Sequence, residues 1–88
     1  MKVGKSYFIR TVTYHLVGRV TKIKENWITL EEASVVFNTD NMTTMLRTGT
    51  IASSNDVGDV TVNYVGDATV NANSITDFFP WKHELETA

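Results

Sequence analysis

The sequence predicts a single, mostly β domain, and three observations carry that prediction. Residues 6–24 are rich in β-branched and aromatic side chains without a helical stripe. Val60-Thr61-Val62-Asn63-Tyr64-Val65 alternates with a period of two, and polar breaks recur between the apolar runs. A chain of 88 residues encloses one modest core, so residues 1–88 are read as one domain with no internal linker.

Taken in order, Ser6 to Lys24 places Leu16, Gly18, Val20 and Lys22 on one face and Val17, Arg19, Thr21 and Ile23 on the other, if alternation is strict. Both faces then carry apolar groups. That mixture suits a strongly bent strand or pair of strands in a small barrel, with Gly18 permitting a close approach where a side chain would clash. Lys24-Glu25-Asn26 is a polar break before Trp27-Ile28-Thr29-Leu30, and Ala33 to Phe37 resumes an apolar run, which reads as a hairpin followed by a strand.

Between Asn38 and Gly49 the pattern becomes helical. Thr39 or Asp40 suits a helix cap, Met42, Met45 and Leu46 recur at helical spacing, and Gly49 suits the stop. One short helix is expected there, in an enlarged loop before strand four, docked on the domain by its apolar stripe. A loop through Ser53 to Gly58 leads to the strand at Val60 to Val65. Gly66-Asp67 reads as a turn, Ala68-Thr69-Val70 as the start of another strand, and Asn71 to Ser74 as a polar corner. Ile75 to Phe79 forms the last strand, which Pro80 keeps from continuing at the centre of a sheet.

Composition narrows the function classes. With 42% hydrophobic and 10% aromatic residues the chain has the apolar material to collapse. It contains no cysteine, which removes disulfides, thiol catalysis and zinc thiolates together, and a cytoplasmic setting is expected. No stretch approaches the roughly 20 apolar residues that cross a bilayer, and Met1 to Lys5 leads into a β-like segment, not a signal-peptide core, so no membrane partner is expected. A small core without disulfides has a thin margin over conformational entropy, which makes self-association an expected source of stability.

The formal charge of −2 argues against a surface coated with positive potential. Lys2, Lys5, Arg10, Arg19, Lys22 and Lys24 nevertheless all precede residue 25, so one face can still be basic. The competing reading is that these cations solvate the outer face of a half-buried sheet and blunt its edge.

Catalytic and metal-binding patterns are missing. His15 and His83 are far apart in sequence, and Asp56, Asp59 and Asp67 lack the rhythm of a calcium loop, so no metal or cofactor is expected. Glu31 and Glu32 are adjacent; on a regular strand they point to opposite faces and are not expected to share a substrate. No phosphate-binding glycine loop or nucleophile elbow occurs. The expectation is a protein that binds or assembles, not an enzyme.

From Val17-Gly18-Arg19-Val20 through Trp27-Ile28-Thr29-Leu30-Glu31-Glu32-Ala33, the chain resembles the first signature of Sm-like proteins, in which an apolar-Gly-x-apolar strand precedes an apolar-x-apolar-acidic-Ala strand. Val70-Asn71-Ala72-Asn73-Ser74-Ile75 looks like a degenerate second signature, the tight corner between the last two barrel strands. The resemblance, to a divergent member of prokaryotic or phage type, implies a strongly bent five-stranded open barrel. It also implies a homo-oligomeric ring in which strand four of one subunit pairs with strand five of the next. Cyclic pairing satisfies two exposed sheet edges without endless addition. The interface candidates are Val60, Val62, Tyr64, Ile75, Phe78 and Phe79. Phe78, Phe79 and Trp81 are alternatively base-stacking groups, although burial in the core or at a subunit contact suits them better.

The departures from the family fall where its RNA binding resides. Sm-like proteins shape a uridine pocket with an Asp and an Asn of the first signature and an Arg-Gly of the second. The nearest positions here are Lys24, Trp27 and the pair Ala72-Asn73, after a one-residue shortening of the hairpin, so that pocket is not carried over. In its place Trp27 offers stacking, Asn73 a base-edge hydrogen bond and Lys24 a phosphate contact, which together suit single-stranded RNA at the ring centre. The alternative is a structural or adaptor ring that contacts other proteins without nucleic acid. A small-molecule barrel would need a cavity that a core of this size scarcely spares.

Overall fold

The computed structural model describes residues 1–36, 46–47 and 62–85. Five strands form one antiparallel sheet: β1 (Ser6–Thr11), β2 (His15–Lys24), β3 (Trp27–Val36), β4 (Val62–Asn71) and β5 (Ile75–Pro80), in the spatial order β4-β3-β2-β1-β5. β4 pairs with β3 and β5 with β1, so these two strands are the edges and the sheet is not closed. The mostly β expectation is met. Of the helix expected between Asn38 and Gly49, only Leu46 and Arg47 are described, both with helical backbone; its other residues, and the loop through Ser53 to Gly58, lie outside the described residues.

Short polar turns join the strands. Between β1 and β2 the Thr11 hydroxyl accepts from the Tyr14 amide at 3.0 Å and the Thr13 amide at 3.3 Å, and donates to the Tyr14 carbonyl at 2.5 Å. Between β2 and β3 the turn at Glu25-Asn26 holds Glu25 at φ 56°. Between β4 and β5 a 3-10 turn (Ala72–Ser74) is capped by Asn71, whose side chain accepts from the Asn73 amide at 2.8 Å. Ser74 Oγ donates to the Asn71 carbonyl at 2.8 Å, completing a corner that spends local polar groups on its own backbone.

Two hydrophobic clusters cover the two faces of the sheet. The first takes Tyr7 and Ile9 from β1, Leu16 and Val20 from β2, Ile28, Leu30 and Ala33 from β3 and Val70 from β4, with Ile75 of β5 packed against it. The second joins Phe8, Val17, Val36 and Trp81. Because alternate residues of β1 enter different clusters, that strand is buried on both sides, as Tyr7, Phe8 and Ile9 show. Trp81 is 4% exposed and follows β5 back across the second face, its amide donating to the Ser6 carbonyl at 2.9 Å. It is a core residue and not a stacking platform.

Irregularities in the ladders go with three corrections to the sequence expectations. The β2–β3 register shifts between Val20 and Lys22, which reverses the phase of β2. Ile23 therefore joins the side of Val20 and Ile28, while Lys22 and Lys24 turn to the opposite face, contrary to the grouping of Lys22 with Val20. In β3 a shift spans Leu30 to Ala33, with Glu32 at φ 52°. Glu31 and Glu32 consequently reach the same partner: Arg19 Nη1 donates to Glu32 Oε1 and Nη2 to Glu31 Oε1 at 3.3 Å. The expectation that they face apart fails because a bulge inserts a residue into the alternation.

The third correction concerns Gly66-Asp67, which is not a turn. Both residues lie inside one continuous β4, so Ala68-Thr69-Val70 does not begin another strand. Gly66 has φ 83° and stands opposite Ala33, where β3 carries its own irregularity. A glycine with positive φ relieves the mismatch that would otherwise end the pairing.

Candidate nucleic-acid interface

The β2–β3 hairpin extends as a two-faced ribbon whose faces are fixed by the register Lys22↔Thr29, Ile23↔Ile28 and Lys24↔Trp27. Ile23 and Ile28 face an apolar groove of about 430 Å³ that Met1, Ala72, Ile75 and Phe78 help to line. Lys22, Lys24, Glu25, Trp27 and Thr29 line a cleft of about 300 Å³. The phase reversal in β2 makes this division: without it Lys22 and Lys24 would both lie with Ile28, and the cleft would lose both of its cations.

The β4–β5 corner sits against the hairpin. Trp27 pairs with Asn71, and the Ala72 amide donates to the Asn26 carbonyl at 2.6 Å. Of the sequence-derived RNA candidates, Lys24 and Trp27 are therefore cross-strand neighbours that share the cleft. Asn73 stands on the adjoining corner, outside the cleft lining. All three are exposed, Trp27 at 51%. An indole that open, with Lys24 across the ladder from it, presents a stacking face beside positive charge.

Lys22, Glu25 and Thr29 are the cleft residues that sequence reasoning missed. Strict alternation placed Lys22 on the wrong face, and Glu25 read only as part of a polar break. The pairing of Lys22 with Thr29 across the hairpin was the available signal, but it depends on where the bulge falls.

The interface candidates are distributed unequally. Val60 lies outside the described residues, and Val62 is described only by its backbone, which opens β4 opposite Val36. Tyr64 is exposed on β4, next to Val65 at 49% exposure. On β5, Ile75 packs against the first cluster and Phe79 against the second, its ring 6.4 Å from that of Phe8. Phe78 is 43% exposed while its ring meets that of Tyr7 edge-on at 5.5 Å. Tyr64 and Phe78 thus offer free apolar surface on opposite edges, whereas Ile75 and Phe79 are engaged within the chain.

Electrostatics along the β1–β5 ladder are structural. Arg10 Nε donates to Asp77 Oδ1 at 2.6 Å and its Nη2 to Oδ2, tying β1 to β5. That hydrogen bonding holds the Asp77 carboxyl below the usual carboxylate range. The same guanidinium lies 5.9 Å from the Phe79 ring centre. His15, opposite Arg10 in the ladder, is held below the ordinary imidazole range by burial and by the Arg10 charge, with Asp77 opposing. Among the described residues no three His, Asp or Glu side chains gather as a metal site, and no helix is long and apolar enough to cross a membrane.

No family model, curated protein or solved structure matches the chain. The residues themselves therefore carry the functional reading.

Proposed function

We propose that this chain is a subunit of an Sm-like ring that binds single-stranded RNA at the hairpin end of the sheet. The observation that carries the RNA reading is the placement of Lys24, Trp27 and Asn73 at one end, on two turns joined by the Asn26–Ala72 hydrogen bond. Trp27 stacks a base, Lys24 contacts phosphate and Asn73 reads a base edge. The ring reading is supported by the strand order: β4 and β5 are the two open edges, and pairing β4 of one copy with β5 of the next satisfies both in a closed assembly. The bulges that bend β2 and β3 favour a strongly curved open barrel within that ring.

Light scattering on the purified protein, with and without a short single-stranded RNA at low and moderate salt, tests both parts. A closed oligomer with an RNA-dependent shift that weakens as salt rises is the expected result, because phosphate contacts release counterions. A monomer that ignores RNA overturns the proposal. The alternative of a structural or adaptor ring draws support from the apolar groove beside Phe78 and Ile23; an oligomer indifferent to RNA at either salt would favour it.

A further inference from the structure

We infer that the hairpin cleft selects guanine, with the Glu25 carboxylate accepting hydrogen bonds from the base edge while Trp27 stacks on its face. The inference rests on the RNA reading above and names the base that site takes. Glu25 lines the same cleft as Trp27, Lys22 and Lys24. Glu25 is exposed at the turn, and among the described residues it forms no ion pair.

A carboxylate is an acceptor without donors. Guanine is the standard base whose Watson–Crick edge presents two adjacent donors, N1–H and the N2 amino group, and it matches both carboxylate oxygens. Uracil presents one donor between two carbonyl oxygens, which a carboxylate repels. Lys24, opposite Trp27, and Lys22, opposite Thr29, then offer two positions along β2 for phosphates.

The backbone at Glu25 is a second, independent observation. At φ 56° this turn position occupies the left-handed region, where glycine or asparagine is the unstrained choice. The chain instead holds a charged side chain there, at the lip of the cleft. Strain retained at an exposed turn, where nothing in the core demands that residue, points to a use for the side chain.

The experiment compares two fluorescently labelled oligonucleotides by anisotropy on the intact protein: an oligouridine, and the same chain with one central guanosine. The guanosine chain is expected to bind about tenfold tighter, in line with the discrimination a bidentate base contact provides. Replacing that guanosine with inosine, which lacks the N2 amino group, should erase much of the preference without touching the protein. Glu25→Gly removes the carboxylate while relaxing the turn, so this variant should fold at least as well and bind both oligonucleotides equally. Equal affinity of the unaltered protein for the two chains overturns the guanine inference and leaves RNA binding standing. Binding to neither overturns both.

Discussion

A Cβ added to Gly18 would lie 3.1 Å from the Cβ of Ala33 and 3.2 Å from its Cα, so these two residues bring β2 and β3 into an approach tight enough that a side chain at Gly18 would have to push its neighbour aside. The contact sits in the first hydrophobic cluster beside Leu30, where Val17 and Arg19 flank a register shift. Overpacking a site of this kind costs about 1–3 kcal/mol, so Gly18→Ala should lower the urea midpoint and Gly18→Val should lower it further. Ala33→Gly in the Gly18→Ala background should recover part of the loss, because it removes the nearest of the colliding atoms. A strictly additive double mutant would show that the two positions are not in steric conflict.

The β-rich character of most strands and the polar breaks at Glu25-Asn26 and Asn71–Ser74 were legible because each depends on residues close in the chain, and the burial of Trp81 followed from its apolar bulk. The bulges were not. A bulge is a disagreement between two strands, and nothing in Val20 to Lys22 alone says that Leu30 to Ala33 will also slip against β4. Gly66-Asp67 illustrates the ambiguity: the dipeptide suits a turn, yet it serves inside β4 because Ala33 across from it lies beside the irregularity at Glu32. The missed cleft residues follow from the same cause, since the bulge decides the face that Lys22 occupies.

Glu32 combines a left-handed backbone with the Arg19 pairing. Glu32→Val places a β-branched side chain at φ 52° and should destabilise the fold by about 1–3 kcal/mol, measured by chemical denaturation. Glu31→Val, at the neighbouring position without positive φ, should cost clearly less. Comparable losses for the two would remove the backbone explanation.

The low His15 proton affinity in the folded state carries a definite sign. Protonation is easier in the unfolded chain, so the stability this group contributes is present above its ordinary value near pH 6.5 and is lost as pH falls below it. Thermal melts should show a decline in Tm as pH falls from 7 toward 5, and His15→Asn should flatten it. A slope unchanged by that substitution would assign the decline to other groups.

Asp77 acts at lower pH and in the same direction. Its carboxyl is held below the usual value by Arg10, so its contribution is present above pH 3.8 and is lost as acid protonates the folded protein. Asp77→Asn should loosen β5 from β1 and remove part of the acid sensitivity at neutral-pH cost, while Arg10→Met should give a similar loss. In the double variant the losses should fall short of their sum, the mark of a shared interaction.

For the ring, Val65→Lys adds charge to the exposed β4 edge without emptying either cluster. The variant should remain folded by circular dichroism and lose native mass in light scattering, since a lysine on an edge strand opposes strand addition. Retention of the full assembly would move the subunit contact away from β4.

The chain has only two indoles, and they inhabit opposite settings: Trp81 sealed under the second cluster and Trp27 open on the hairpin. Their emission therefore separates into two channels. A collisional quencher such as acrylamide should reach the red-shifted Trp27 contribution in the folded protein and leave the blue-shifted Trp81 signal until denaturation releases it. One spectrum can then follow occupancy of the cleft and integrity of the fold at once, with Trp27→Phe and Trp81→Phe assigning the two components.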